Sequence, residues 1–166
     1  MTEKRKPYRP PRRVFCDDYV VQGPDEQGET VEFHPHAGEW VDFGYMSDGI
    51  KAEIQELGKR YIEKAQAGRD IATRHLGDDG RETEPLSDEE TRELNGILDE
   101  IKEIRGRIIQ LLARTIVGWS WTDDYDRPLP NPANNPGAFL IDDAELWYLV
   151  GKAVSPETNP TSLPQS

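Results

Sequence analysis

Three side chains that could bind a metal ion lie close together in the segment HPHAGE, from His34 to Glu39. In a β-strand, His34 and His36 would lie on the same face because they are two residues apart. Two imidazoles and a carboxylate can bind zinc or iron. The alternative is an exposed loop or strand end, since Pro35 between the histidines suits an edge strand or a bend. We favour this alternative and expect neither a bound metal nor another cofactor.

With Gly28 six residues before His34, the segment resembles the first metal-binding motif of cupins, G-x5-H-x-H-x3–4-E-x6-G. The segment departs from that motif, because two residues separate His36 from Glu39 and four separate Glu39 from Gly44. The second cupin motif, which has a third histidine, is missing. The resemblance implies, as an alternative function, a metal-dependent enzyme that uses His34, His36 and Glu39.

The acidic stretch WTDDYDRPLP, residues 121–130, is a candidate calcium loop. An EF-hand loop has oxygen ligands at positions 1, 3 and 5, Gly at 6 and Glu at 12. A loop that starts at Asp124 has Pro128 at position 5, and one that starts at Asp123 has Tyr125 at position 3, so neither register fits. The sequence instead predicts a proline-closed turn after a helix that ends at Gly118.

No serine-histidine-aspartate arrangement, phosphate-binding glycine loop or cysteine cluster is found in the sequence. The single cysteine, Cys16, excludes an intrachain disulfide and suits a reducing compartment. We therefore expect a protein that is not an enzyme.

Charge is unevenly distributed in this chain of 166 residues with a net charge of −12. Residues 1–13 carry six basic side chains against Glu3 and predict a disordered basic arm. The rest of the chain is acidic, which argues against binding to nucleic acid. No apolar run is long enough to cross a membrane, and we expect a cytoplasmic protein.

The pattern of apolar and turn residues predicts the elements that would position these side chains. They form a single α+β domain over residues 14–154, followed by a disordered tail over 155–166. Short alternating segments predict an antiparallel β-meander over 14–45. Apolar periodicity predicts an antiparallel helix pair, about 48–66 and 88–117, and a short helix at 142–154. The last two helices would begin with capping boxes, formed by Ser87 with Glu90 and by Asp142 with Glu145. The apolar seam of helix 88–117 fits a hairpin or a dimer, so the oligomeric state stays open.

The C-terminal third resembles bacteriophage tail assembly chaperones over residues 106–154. The matching pattern reads ARTIVGWSWTDDYDRPLP, then NPANNPGAF, then LIDDAELWYLVGKAV. The segment FHPHAGEWVDF, residues 33–43, is similar to a hairpin that precedes the helical part of such proteins. Related sequences tend to have glycine in the acidic turn, where this chain has Tyr125, Asp126 and Arg127.

This resemblance implies a protein without enzymatic activity that binds the long, hydrophobic, helical tape measure protein. It would keep that protein soluble in the host cytoplasm while tail tube protein, a second candidate partner, polymerises around it, and it would be absent from the mature virion. A structural tail or head-tail component of the virion is the main alternative. The candidate partner-binding residues, some of which could equally complete the core, are Leu111, Leu112, Trp119, Trp121, Trp147 and Leu149.

Overall fold

A computed structural model describes residues 10–134 and 141–155 and confirms the α+β fold class. Residues 1–9 and 156–166, and so most of the predicted basic arm and tail, lie outside the described residues. The elements in chain order are β1 (Arg12–Phe15), β2 (Val21–Pro24), β3 (Thr30–Phe33), β4 (Trp40–Phe43), α1 (Asp48–Ala72), α2 (Asp88–Thr115), β5 (Ile116–Trp119) and α3 (Asp143–Val154).

We predicted one domain, and the backbone contacts group the chain into two compact units. Unit 1 comprises the described residues up to Ser47 together with those from Leu112 onwards, and unit 2 comprises Asp48–Leu111. Each unit is described by itself. None of the helices in the described part of the chain has the length and apolar character needed to cross a membrane.

Unit 1 is built on a three-stranded antiparallel sheet of order β1-β4-β5, with a separate β2–β3 hairpin. Val14 pairs with Val41, and Val41 pairs with Trp119 on the other side. Arg12 and Arg13, which we assigned to the disordered arm, instead begin β1. The core of the unit contains side chains from the strands and from α3, including Val41, Phe43, Ile116, Leu146 and Leu149.

The end of α2 differs from the sequence prediction. We predicted a helix to residue 117 with Gly118 at its terminus, but the helix ends at Thr115 and the next four residues form β5. Two β-branched residues, Ile116 and Val117, favour this strand, which pairs with β4. Gly44, the residue after β4, allows β5 to approach closely, because a Cβ atom at position 44 would lie only 3.0 Å from Val117 Cγ1.

Unit 2 contains the predicted antiparallel helix pair. The two helices run antiparallel, because residues later in α1 pair with residues earlier in α2: Glu53 with Arg107 at 2.9 Å and Lys64 with Glu100 at 2.6 Å. Beyond the end of α1, His75 continues this order by pairing with Glu90 at 2.8 Å. Helix α1 ends at Ala72 rather than at the predicted residue 66. Gly68 does not end the helix but is buried within it, and a Cβ atom there would lie 3.5 Å from Ile97 Cγ2 of α2.

Candidate functional site

Unit 1 contains an open cavity of about 620 Å³ between the β3–β4 turn, the loop after β5 and the start of α3. Tyr19, His36, Ser120 and Thr122 contribute polar and aromatic groups to its wall. The remaining polar lining is carboxylate: Glu39, Asp123, Asp124, Asp126, Asp142 and Glu145. Low-dielectric walls lined by one sign of charge focus the electric field, so the cavity attracts cations and repels anions.

The turn that follows β3 places His36 at the base of this cavity. The Ala37 amide donates to His34 O at 3.1 Å, and the Glu39 amide donates to His36 O at 3.0 Å. Gly38 has a φ of +78°, which a residue without a side chain adopts at little cost. Its amide donates to Asp17 Oδ1 at 2.7 Å and ties the turn to the β1–β2 connection.

Both ring nitrogens of His36 contact carboxylates from different parts of unit 1. Nδ1 lies 3.2 Å from Glu39 Oε1, and Nε2 lies 2.6 Å from Glu145 Oε2. Glu39 Oε2 also accepts a hydrogen bond from the Thr122 amide at 3.1 Å, which connects the loop after β5 to the same cluster. Glu145 is the third residue of α3, and its Oε1 accepts the Asp142 amide in a capping box, as the sequence predicted.

Aromatic rings enclose the His36 side chain. The Trp121 ring stacks on the imidazole with centroids 3.7 Å apart and an interplanar angle of 11°. Trp119 stacks on Trp121 at 5.2 Å and 8°, and Tyr19 lies 5.2 Å from His36 in a tilted arrangement. His36 is only 6% exposed and Trp121 only 1%. This packing fixes the orientation of the imidazole and excludes most of the water from it.

The carboxylates and the burial act on the pKa of His36 in opposite directions. Burial alone would lower it, but the hydrogen bonds to Glu145 and Glu39 outweigh burial and raise the pKa above its usual value. For Glu145, burial would raise the pKa, and the hydrogen bonds from His36 and from the Asp142 amide lower it below its usual value. Both directions favour a charged pair. Neither nitrogen is free to serve as a general base while these contacts hold.

No protein-family model, curated protein sequence or solved structure matches this chain.

The structure brings two of the three candidate metal ligands, His36 and Glu39, into contact and directs the third, His34, elsewhere. β3 ends at Phe33, so His34 and His36 lie in a turn and do not share a strand face as the metal-site hypothesis required. The exposed His34 donates from Nδ1 to Asp17 O at 2.9 Å, whereas the buried His36 is paired with Glu39 and Glu145. Within residues 10–134 and 141–155, no group of three or more His, Cys, Asp or Glu side chains is arranged to hold a metal ion.

The candidate partner-binding residues divide into two groups. Four of them belong to the core and are at most 3% exposed: Leu111, Leu112, Trp121 and Leu149. A partner could touch these four only if the core opened, because close packing leaves no access to them. Trp119 and Trp147 are half-buried and remain within reach of a partner.

A different apolar surface lies on the α1–α2 hairpin of unit 2. Ile62 is 66% exposed and Leu98 is 51% exposed, while the neighbouring seam residues Leu94, Ile97 and Ile101 are only half-buried. Ile62 lies two residues before Lys64 in α1, and Leu98 lies two residues before Glu100 in α2, the two residues that form an ion pair. A separation of two residues places side chains about 160° apart around a helix. Ile62 and Leu98 therefore share the opposite side of the hairpin, which we call the apolar side.

Sequence reasoning missed Glu145 and Tyr19 as members of the His36 cluster. Glu145 was recognised only as a capping residue, and its contact with His36 spans 109 positions of the chain. No local pattern reports a contact at that separation. The apolar side of the hairpin was also missed, because neither residue belongs to the periodic apolar positions of its helix. Leu98 follows Ile97 of the predicted seam, and Ile62 follows Tyr61 of the apolar stripe of α1.

Proposed function

We propose that the protein is a tail assembly chaperone that binds the helical tape measure protein and keeps it soluble during tail morphogenesis. The observation that carries this proposal is the apolar side of the α1–α2 hairpin, where Ile62 and Leu98 are exposed beside a half-buried seam. Ile62 and Leu98 stand beside the apolar stripes of the two helices, and a third amphipathic helix is a partner that would cover them together with the half-buried seam residues.

Charge and sequence pattern support the same proposal. A net charge of −12 keeps a complex with an apolar partner dispersed, because like-charged particles repel one another. The segment over residues 106–154 that resembles tail assembly chaperones supplies the identity of the partner. The engagement of both His36 nitrogens supports a binding role rather than acid–base catalysis. The role implies action in the host cytoplasm and, as with the resemblance, tail tube protein as a second partner.

Co-expression with a helical fragment of the tape measure protein tests the proposal. The wild-type chain should raise the soluble fraction of that fragment, and the double variant Ile62→Lys/Leu98→Lys should abolish the increase. The control Ala52→Lys/Gln110→Lys adds the same charge at exposed sites ten and twelve residues away, which is about 15 Å or more along the helices. It should behave as wild type. A fragment whose solubility does not respond to the wild-type chain would refute the chaperone function.

The alternative of a structural tail or head-tail component predicts a different fate for the protein. A chaperone leaves before the particle is complete, so mass spectrometry of purified virions should detect the tape measure and tube proteins without this chain. Stoichiometric amounts of this chain in mature particles would favour the structural role instead.

A further inference from the structure

The contacts of His36 restrict its protonation state. A neutral imidazole has one N–H donor and one lone pair, whereas an imidazolium has two donors. Carboxylates lie 3.2 Å from Nδ1 and 2.6 Å from Nε2, so a neutral ring would direct a lone pair at a carboxylate oxygen. While both carboxylates are ionised, only the doubly protonated ring satisfies both contacts, and at 6% exposure water cannot replace a lost partner readily.

We propose that His36 is a pH-sensitive latch that holds the first turn of α3 against the β3–β4 turn only while both ring nitrogens are protonated. Glu145 belongs to the first turn of α3, and Glu39 closes the β3–β4 turn, so the imidazolium bridges two elements that are distant in sequence. Loss of one proton replaces an N–H···O contact with repulsion between a lone pair and a carboxylate, and the start of α3 then loosens.

The carboxylates around His36 all favour its protonated form. Glu39 faces it from the turn, Glu145 and Asp142 face it from the start of α3, and Asp123, Asp124 and Asp126 line the same cavity from the loop after β5. Each of these carboxylates favours the imidazolium. Tyr19 contributes a neutral ring from the β1–β2 connection. Two cations near these elements are already paired, since Arg127 binds Asp123 and Lys152 binds Asp18.

The pH range in which the latch is closed follows from the two shifted groups. The pKa of His36 is raised in the folded protein. The stabilisation that the protonated ring contributes is therefore complete below the unfolded pKa of about 6.5 and is lost as pH rises through the folded pKa. The pKa of Glu145 is lowered, so its contribution is present above about 4.3 and is lost as pH falls through its folded pKa. The latch therefore opens as the solution becomes alkaline.

Glu145→Gln is the variant that separates the latch from ordinary packing. Glutamine also serves as the third residue of a capping box, so the start of α3 keeps its cap. Its side-chain amide can donate to a neutral Nε2, which removes the need for the second proton. Glu90→Gln is the matched control, because Glu90 is the capping-box glutamate of α2 and contacts His75 in unit 2.

Nuclear magnetic resonance over about pH 5 to 10 tests the latch on the full chain. Ring nitrogen shifts report the protonation of His36, and hydrogen-exchange protection factors report the opening of the first turn of α3. In the wild type, His36 should titrate above about 6.5, and protection at Glu145–Trp147 should fall about tenfold or more at the same midpoint. In Glu145→Gln the midpoint should move down and the step in protection should disappear, while Glu90→Gln should match the wild type.

The wild-type titration alone can overturn the proposal, so the outcome does not depend on a variant that folds. A His36 that titrates at or below about 6.5, or an α3 whose protection is unchanged across the His36 midpoint, would show that the cluster is ordinary packing.

Discussion

The two units contain the same histidine arrangement in different surroundings. In unit 1, His36 contacts the capping-box glutamate of α3, Glu145, at 2.6 Å. In unit 2, His75 contacts the capping-box glutamate of α2, Glu90, at 2.8 Å. A second carboxylate lies 3.2 Å from His36 and 3.1 Å from His75. The His36 side chain is 7% exposed and stacked on Trp121, whereas the His75 side chain is 22% exposed.

We infer from this difference that burial, rather than the choice of residue types, gives such a cluster its energetic weight. Water and salt screen an exposed ion pair, so it contributes little. A buried pair is different, because the removal of one partner leaves a charge without solvation. We therefore expect the His36 cluster to determine the stability of its surroundings and the His75 cluster to have a small effect.

Each unit buries some of its apolar residues and exposes others. Unit 1 buries Trp121 and exposes Phe15, and unit 2 buries Ile108 and exposes Ile62 and Leu98 on its hairpin. Exposed apolar side chains beside a half-buried helical seam are typical of a surface that binds a helix. The aromatic cluster around His36 belongs to the core of unit 1, and we place the proposed partner contact on the hairpin.

The largest effect should come from the ring that supports His36. Trp121→Ala should lower the free energy of unfolding by about 3–5 kcal/mol, because it leaves a large cavity and removes the stack on the imidazole. Tyr125→Ala, in the same loop, removes an aromatic ring that is 78% exposed and should cost less than about 0.5 kcal/mol. Urea denaturation followed by circular dichroism measures both. Equal costs would contradict the burial of Trp121.

The histidines themselves provide the next comparison. His36→Ala should cost about 3 kcal/mol, because Glu39 and Glu145 are left close together without the bridging cation. His75→Ala should cost less than about 1 kcal/mol, since the His75 side chain is 22% exposed and its partner Glu84 is 67% exposed. The same denaturation experiment measures both variants. A cost for His75→Ala equal to that for His36→Ala would remove the distinction between the two clusters.

The helix caps should show no such contrast. Asp142→Ala and Ser87→Ala each remove a side chain that accepts the backbone amide of the third helical residue, at 2.7 Å and 3.1 Å respectively. Each substitution should cost about 1 kcal/mol. If Asp142→Ala alone were strongly destabilising, the difference between the units would lie in the caps and not in the histidines.

The last prediction concerns the titration of Glu90 rather than a substitution. The hydrogen bonds from His75, the Ser87 amide and Arg74 lower its pKa to about 2. The stabilisation that the ionised Glu90 contributes is therefore complete above its usual pKa of about 4.3. It is lost as pH falls toward the pKa of Glu90 in the folded state. A carbon-detected carboxyl titration should place the midpoint of Glu90 near 2. A midpoint at the usual value would show that the contacts with His75 do not form in solution.

The capping boxes and the helix pair could be predicted because their patterns are local. Ser87 with Glu90, and Asp142 with Glu145, form the reciprocal hydrogen bonds that their spacing indicates. β5 was missed because its residues continue the apolar pattern of α2 and become a strand only by pairing with β4.

The environment of His36 could not be predicted for a related reason. Its pairing with Glu145 depends on the fold bringing the β3–β4 turn to the start of α3. The exposure of Leu98 depends on how the two helices pack, with the Lys64–Glu100 ion pair on one side of the hairpin and Leu98 on the other. Both are properties of tertiary packing that neither composition nor periodicity contains.

Chemical-shift mapping with a helical fragment of the tape measure protein is the most direct test of the proposed function. We expect the perturbed backbone amides to cluster around Ile62 of α1 and Leu98 of α2, while the indole signals of Trp119 and Trp147 stay unchanged. Perturbations centred on those two indoles, or an unperturbed spectrum at saturating fragment, would contradict it.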